Sequence, residues 1–131
     1  MEKIEEYIKK HKVSKEKSKE FIEYLWELMK IHGYGEDDSR LYKKANVTRQ
    51  SWSLIRSGKV TPSLKTILKI VFALELNNHE CKYLLKKAGY TLASSSTYAL
   101  VIRYCIENKI YDLDKVNEYL TQYGYEDSLI Y

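Results

Sequence analysis

Residues 41–76, LYKKANVTRQSWSLIRSGKVTPSLKTILKIVFALEL, decide the fold, because they predict three short helices joined by two tight connections. Thr48 can cap the middle helix, since its hydroxyl can accept a backbone N–H of the first turn. Ser57 and Gly58 predict its end, and Pro62 suits the first turn of the next helix. We therefore expect helices over about residues 37–45, 48–57 and 62–76.

The spacing of small and apolar residues predicts how these helices meet. Ala45 is small enough to let two helices cross closely, and Val47 can fill the corner between them. Asn46 tolerates the left-handed backbone that such a corner often needs. Trp52 and Ile55 are three residues apart, so they face the core together.

The remaining face of the middle helix is polar at its leading end. Arg49, Gln50 and Ser53 are expected to point outward. In the DNA major groove, arginine can contact guanine and glutamine can contact adenine, each contributing about 1–3 kcal/mol of discrimination. Lys59 follows in the loop, where it could contact a phosphate. This pattern is typical of a helix-turn-helix that places its second helix in the major groove.

Composition agrees with one compact unit and permits an anionic partner. The chain has 131 residues, of which 44% are apolar and 31% charged, and its net charge is +4. The charge is unevenly distributed: residues 36–60 carry six basic and three acidic side chains, whereas residues 92–131 carry three basic and six acidic ones. The basic excess therefore coincides with the predicted motif.

The rest of the chain is also predicted to be helical, so the fold class is all-α. A single proline and five glycines leave few breaks, and apolar residues recur at intervals of three and four. The first helix is predicted to be short, with one face marked by Ile4, Tyr7, Ile8 and His11. A longer one, marked by Phe21, Leu25, Leu28 and Met29, is predicted to end near Gly33 and Gly35.

Three further helices are expected after the motif. One covers about residues 78–88; the next turns Tyr98, Val101, Ile102 and Cys105 inward; the last is capped by Asp112 and aligns Leu113, Val116, Leu120 and Tyr123. We divide the chain into residues 1–91, a helix-turn-helix domain with an N-terminal helix and its motif at 37–58, and residues 92–131, a helical extension. The extension either packs on the domain and covers the apolar helix at 67–76 or forms a dimer.

Metal, cofactor and catalytic functions are not expected. His79 and Cys81 are close in sequence, but the chain has neither a CxxC nor an HxxxH spacing. The apolar pattern turns Cys81 and Cys105 inward, which is typical of structural thiols in a reducing cytosol. No apolar run reaches the roughly 18 residues of a membrane span, and the first residues resemble no signal peptide, so a cytoplasmic protein is expected.

The motif resembles that of the phage-repressor-like, or Xre-type, helix-turn-helix family, over residues from about 18 to 90. The pattern Leu-Ala-x-x-x-Gly-Val-Ser-x-x-x-Ile-Ser-x-x-Glu-x-Gly-x-x-x-Pro-Ser-Leu is typical of that family and continues with spaced Leu and Ile. This chain matches it without a gap at Leu41, Val47, Thr48, Ser53, Gly58, Pro62, Ser63, Leu64, Ile67, Ile70 and Leu74. The resemblance implies a five-helix domain, here with an extra N-terminal and two extra C-terminal helices.

The resemblance implies that the family's base-reading positions fall on Arg49, Gln50 and Ser53, with Leu54 at a further outward one. Together with residues assigned from the sequence pattern itself, the predicted DNA-contacting set comprises Thr48, Arg49, Gln50, Ser53, Leu54, Arg56 and Lys59. Three positions depart from the family's usual residues. Leu54 replaces a polar residue, Asp38 stands where glutamine is frequent beside the phosphate backbone, and Arg56 stands where glutamate is common and would remove an internal pair.

Two functions therefore remain open. The first is a small, dimeric DNA-binding transcriptional regulator of the phage or mobile-element type, a repressor that reads double-stranded DNA with residues 48–57. The second is a protein-binding module on the same fold, such as a phage-encoded, anti-CRISPR-like inhibitor of a host defence protein. Asp37, Asp38, Leu54 and the acidic, tyrosine-rich residues 98–131 motivate the second, in which the C-terminal part would contact the protein target.

Overall fold

The all-α prediction is confirmed. The computed structural model describes the backbone of residues 2–131 and the side chains of residues 2–8 and 18–131, and this part of the chain contains helices and no strand. The elements are α1 (Ile4–Ile31), α2 (Asp38–Lys44), α3 (Arg49–Arg56), α4 (Leu64–Leu74), α5 (Asn78–Lys87), α6 (Thr97–Glu107), α7 (Leu113–Gln122) and a short 3-10 helix (Glu126–Ser128).

The prediction of two separate N-terminal helices is wrong, because α1 runs without a break for 28 residues. Residues 9–20 interrupt the apolar pattern, yet they contain neither glycine nor proline and are rich in lysine, which favours helix. The side chain of His11 lies outside the described residues. Ile4 and Ile8, which mark the predicted apolar face, are 73% and 47% exposed, so this face is turned to solvent.

Side-chain caps define most of the other helix starts. Thr48 and Asp112 are confirmed as N-caps, and Ser96 caps α6 in the same way. Asn77 caps α5 through a reciprocal pair of hydrogen bonds with Glu80. The predicted start of α4 at residue 62 is wrong by two residues, because the hydroxyl of Ser63 accepts the N–H of Thr66 and thereby sets the first turn.

Helix α4 lies at the centre of the core. Ile70 and Phe72, which fall outside its main apolar stripe, are as buried as Ile67 within the stripe. On one side α4 packs against α2 and α5, and on another the ring of Phe72 meets the ring of Tyr111 edge-on, with centroids 6.5 Å apart. The chain itself therefore covers the wide apolar surface of this helix.

The C-terminal helices α6 and α7 pack against each other, and α6 also contacts α5. Val101, Ile102 and Cys105 are buried as predicted, and they belong to the same apolar cluster as the residues of α4. The chain end returns to α7, where the buried side chain of Asn117 makes two hydrogen bonds to the backbone of Ile130, of 2.7 and 2.8 Å. One core thus extends through both parts of the chain.

Tyr123 lies outside the core, whereas the two cysteines belong to it. The inward prediction for Tyr123 is wrong: it follows the last turn of α7 and is 56% exposed. Cys81 and Cys105 are both free thiols and buried, as predicted. Burial raises the pKa of the Cys81 thiol to about 12. None of the helices among residues 2–131 is both long enough and apolar enough to cross a bilayer.

Candidate nucleic-acid interface

The corner between α2 and α3 has the predicted construction. Ala45 is fully buried, Asn46 adopts a left-handed backbone with φ 55°, and Val47 is buried at the turn. The N–H of Val47 donates to the carbonyl of Tyr42 over 2.8 Å, which satisfies one of the last carbonyls of α2. The path of the chain into α3 is therefore determined by backbone hydrogen bonds and packing together.

The inner face of α3 is held by aromatic packing. Trp52 and Ile55 are only 2% and 3% exposed, as their spacing predicts. The indole of Trp52 stacks with Tyr42 of α2 at a centroid distance of 6.2 Å and meets Trp26 of α1 edge-on at 6.4 Å. Because rings from two other helices contact one indole, α3 has little freedom to rotate about its axis.

A polar contact between the two helices adds to this packing. One carboxylate oxygen of Asp38 accepts the indole N–H of Trp52 at 2.8 Å and lies 3.4 Å from the guanidinium of Arg56. Asp38 and Arg56, two of the positions that depart from the Xre-type pattern, thus form a pair with each other, which links the start of α2 to the end of α3. The cation of Arg56 partly offsets the negative charge of Asp38.

The outer face of α3 is exposed along its whole length. Arg49, Gln50 and Ser53 all reach solvent, and Leu54 is 46% exposed. These side chains project from the same helix whose opposite side carries Trp52. A row of hydrogen-bonding groups, with one apolar side chain beside it, is therefore exposed on a helix whose opposite face packs against α1 and α2.

The ends of α3 bring the remaining predicted residues to this surface. The hydroxyl of Thr48 accepts the N–H of Ser51 at 3.1 Å, so it caps the helix and is engaged there. At the other end, Gly58 has φ 73° and allows the N–H of Lys59 to donate to the carbonyl of Leu54. The side chain of Arg56 is 62% exposed and Lys59 is also exposed, which leaves both cations accessible to a partner.

The start of α2 contains an arrangement that the sequence did not reveal. The carboxylate of Asp37 accepts the N–H of Arg40 at 3.3 Å, so it acts as the N-cap of α2. The guanidinium of Arg40 lies 4.2 Å from the ring centre of Tyr34 and donates to the carbonyl of Gly33 at 2.7 Å. An Asp directly before a predicted helix was a detectable signal for a cap, because its carboxylate can accept a backbone N–H of the first turn. The stacking on Tyr34 depends on the course of the loop.

A short hydrogen bond ties the far side of this surface to α1. The hydroxyls of Ser18 in α1 and Thr61, which precedes α4, are 2.6 Å apart. Val60 next to Thr61 is 40% exposed. The loop after α3 is therefore attached to the core at one end while it presents Lys59 and Val60 to solvent.

The side chains of this surface are suited to recognising a partner through hydrogen bonds and charge. It offers guanidinium, amide, hydroxyl and ammonium donors on a rigid support, which suit the acceptors of base edges and phosphates. The buried Cys81 thiol is a poor nucleophile because its raised pKa keeps it protonated. Within residues 2–131 and their described side chains, no cluster of three His, Cys, Asp or Glu could hold a metal ion.

Comparisons of the chain with protein-family models, with curated protein sequences and with solved structures gave no match. The interpretation of this surface therefore depends on its own geometry and on the motif in the sequence.

Proposed function

We propose that the chain is a small DNA-binding transcriptional regulator of the phage or mobile-element type, which reads double-stranded DNA with α3. The observation that carries the proposal is the exposed row of Arg49, Gln50 and Ser53 on a helix whose other face is held by Trp52. Base readout requires polar side chains to be presented in a defined orientation, and a helix supported by α1 and α2 can provide one.

The proposed fold is the five-helix Xre-type domain. It assigns the five family helices to residues 18–31 of α1 and to α2, α3, α4 and α5, with α2 and α3 as the helix-turn-helix. The tight corner at Asn46 and the order and lengths of the helices support this assignment. The N-terminal half of α1 and helices α6 and α7 are then additions to the domain.

In this proposal the residues at the surface divide into two roles. Arg49 and Gln50 read base edges, Ser53 and Leu54 contribute at the next turn, and Leu54 suits a thymine methyl group. Arg56 and Lys59 contact phosphates, and Thr48 supports the helix start. The regulator acts as a homodimer, whose two copies of α3 lie roughly 34 Å apart and enter successive major grooves.

A gel-shift titration against the DNA upstream of the chain's own gene tests the proposal. It compares the wild type with Arg49→Ala/Gln50→Ala at about 50 mM and about 200 mM salt, because phosphate contacts make DNA binding strongly salt-dependent. We expect the double variant to lose specific affinity by about 30-fold or more, since each of the two contacts provides about 1–3 kcal/mol and about 1.4 kcal/mol corresponds to tenfold.

The matched control is Arg103→Ala, which removes one exposed arginine from α6, where it pairs with Glu107. It should leave the gel shift unchanged. Lys59→Ala should weaken binding to specific and unrelated DNA alike and should reduce the salt slope by about 1. If the wild type fails to shift this DNA at low salt, or if the double variant binds it as the wild type does, the proposal is wrong.

A second candidate function is protein binding by the same surface. Leu54 and Val60 favour it, because two apolar side chains that are 46% and 40% exposed lie beside the polar row. In that case the chain would inhibit a protein such as a host defence component. Replacing Leu54 and Val60 with glutamine would abolish that binding, whereas the Arg49→Ala/Gln50→Ala variant would retain it.

A further inference from the structure

A cavity of about 320 Å³ lies where α2 and α4 meet the start of α7. We call it the α2–α4–α7 cavity. Its lining comes from the end of α2 and the corner after it, from the middle of α4, and from the first residues of α7 with the loop before them. Ligand sites typically have volumes of about 300–1,000 Å³, so a cavity at the lower end of this range suits a small molecule.

Two lysines contribute positive charge to this cavity. Lys44, at the end of α2, lies 3.7 Å from Glu75, but both side chains are about half exposed, so this pair offsets little of its charge. Lys69 of α4 is partly buried and forms no ion pair with any side chain that the structure describes. Burial and the nearby Lys65 lower the pKa of Lys69. An anionic group in the cavity would therefore supply the counter-charge that this ammonium group lacks.

The start of α7 contributes two carboxylates to the same cavity. Asp112 and Asp114 are both exposed, and Asp112 caps the helix by accepting the N–H of Asp114 at 3.0 Å. In the described part of the chain, neither carboxylate forms an ion pair with Lys44 or Lys69, although all four side chains line one cavity. Charges of both signs therefore remain available to a ligand.

Aromatic rings form part of the lining as well. Phe72 of α4 is buried, and its ring meets that of Tyr111 edge-on. The ring of Tyr131 also lines the cavity and is 53% exposed. Such rings pack favourably against a further aromatic ring. The cavity thus combines ammonium groups, carboxylates and aromatic side chains.

This combination disfavours ligands that carry a single kind of group. A purely anionic ligand, such as a nucleotide, would bring negative charge to Asp112 and Asp114, and a purely cationic one would bring positive charge to Lys44 and Lys69. A wholly apolar ligand would remove water from these charged groups without offering them partners. A small zwitterion with an aromatic group meets all three requirements.

We propose that the α2–α4–α7 cavity binds a free amino acid with an aromatic side chain. The carboxylate of the ligand pairs with Lys69, and its ammonium group pairs with Asp114. Its ring packs against Phe72 and Tyr111. Because Asn46 also lines the cavity, the bound amino acid contacts the corner that leads into α3. This site goes beyond the proposed function and does not depend on it, since its test contains no DNA.

Amide NMR titration of the full-length chain with L-phenylalanine, up to about 10 mM, tests the site, because it detects millimolar affinities and identifies the residues that respond. Two analogues are matched to this probe: hydrocinnamate lacks the ammonium group, and phenethylamine lacks the carboxylate. We expect L-phenylalanine to shift the amides of Lys69, Tyr111 and Asp114. Each analogue should bind about tenfold more weakly or worse, since each lacks one charge-assisted contact.

Two variants remove one charge of the cavity each. Lys69→Gln and Asp114→Asn should each weaken the binding of L-phenylalanine by about tenfold or more. The matched controls are Lys82→Gln on α5 and Asp127→Asn in the 3-10 helix; both residues are exposed and neither lines the cavity, so affinity should stay within about twofold.

The proposal is overturned if L-phenylalanine shifts no amide or shifts only amides away from the cavity. It is equally wrong if hydrocinnamate or phenethylamine binds as tightly as L-phenylalanine, because the site would then recognise only one of the two charges. If Lys69→Gln or Asp114→Asn binds as its control does, the ligand is not held by the opposite charges of this cavity, and the proposal is wrong as well.

Discussion

The outer face of α3 and the groove between α6 and α7, which is lined by uncharged side chains of these two helices and of Tyr123, are two exposed surfaces of one core, and their chemistry differs. The α3 surface presents Arg49, Gln50 and Ser53 in a basic part of the chain. The groove presents Leu100 and Tyr104 in an acidic part. The first suits an anionic partner with many hydrogen-bond acceptors, whereas the second suits an apolar surface.

Beneath this difference, the two surfaces are supported in the same way. Behind α3, the buried indole of Trp52 packs between rings and donates to Asp38. Behind the groove, the buried amide of Asn117 bonds twice to the backbone of Ile130. In each region a buried side chain with a satisfied polar group determines the orientation of a short helix, and the exposed residues determine its partner.

The largest change should come from removing the support of α3. Trp52→Ala deletes a side chain that is 2% exposed and contacts rings of α1 and α2, so we expect the free energy of unfolding to fall by about 3–5 kcal/mol. Urea denaturation followed by circular dichroism measures it. Ser53→Ala, the exposed neighbour, should stay within about 0.5 kcal/mol of the wild type. A loss below about 1 kcal/mol for Trp52→Ala would show that the ring cluster does not support α3.

The corresponding change behind the groove should be somewhat smaller. Asn117→Ala leaves the N–H and the carbonyl of Ile130 buried without partners, at a cost of about 1–2 kcal/mol per group, and we expect a total of about 2–4 kcal/mol. The same urea denaturation measures it, with the exposed Gln122→Ala as a control on the same helix. Equal stability of the two variants would mean that the chain end is not attached through Asn117.

Two substitutions of Asp38 distinguish the contribution of its hydrogen bond to Trp52 from the contribution of its charge. Asp38→Ala leaves the buried indole N–H of Trp52 without an acceptor, so we expect a loss of about 1–3 kcal/mol. Asp38→Asn keeps an acceptor oxygen and loses only the weak pair with Arg56, so it should lose less than about 1 kcal/mol. Both values come from urea denaturation. If Asp38→Asn lowers the free energy of unfolding as much as Asp38→Ala does, the charge of Asp38 rather than its hydrogen bond stabilises the fold.

Local features of the fold were predictable from the sequence because they depend on neighbouring residues. The cap at Thr48, the left-handed turn at Asn46 and the inward Trp52 follow from side-chain type and spacing. The continuity of α1 was missed, because a polar interruption of the apolar pattern was interpreted as a break. Residues 9–20 contain no helix breaker and are rich in lysine, so the interruption of the apolar pattern does not end the helix.

The candidate site was predictable in its exposed residues but not in its internal pairing. Arg49, Gln50 and Ser53 follow from the position of Trp52 on a helix of known period. The contact between Asp38 and Arg56 joins residues 18 positions apart, and it depends on the crossing of α2 over α3. Patterns among neighbouring residues carry no information about a contact over 18 positions. The two residues were therefore interpreted as separate departures from the motif.

The buried thiol of Cys81 on α5 gives a smaller effect, visible only in alkali. Its folded-state pKa of about 12 lies above the ordinary value of 9.0, so the unfolded chain loses this proton first as pH rises. Stability is thus unaffected by this thiol well below pH 9 and falls as pH rises from 9 to 12, by about 1.4 kcal/mol at pH 10. Urea denaturation at pH 7 and pH 10 measures the change, and Cys81→Ala should reduce it. An undiminished loss in that variant would assign the change to other groups, such as Cys105 or Tyr98, whose pKa values burial also raises.

The smallest effects on stability should come from two exposed arginines, one on α3 and one on α6. Arg56 lies 3.4 Å from Asp38, and Arg103 pairs with Glu107 at 2.9 Å one turn away on α6. Exposed pairs of this kind contribute about 0–1 kcal/mol, so Arg56→Ala and Arg103→Ala should both unfold nearly as the wild type does in urea.

Binding to DNA should nevertheless distinguish these two arginines. Arg56→Ala removes a cation from the α3 surface and leaves the carboxylate of Asp38 without its partner, so the local charge changes just where phosphates would approach. We expect its gel shift to weaken and the salt slope to fall by about 1, while Arg103→Ala binds as the wild type does. Equal affinities for both variants would mean that the charge beside α3 is not used for DNA, and the contrast between the two surfaces would then apply to shape and polarity alone.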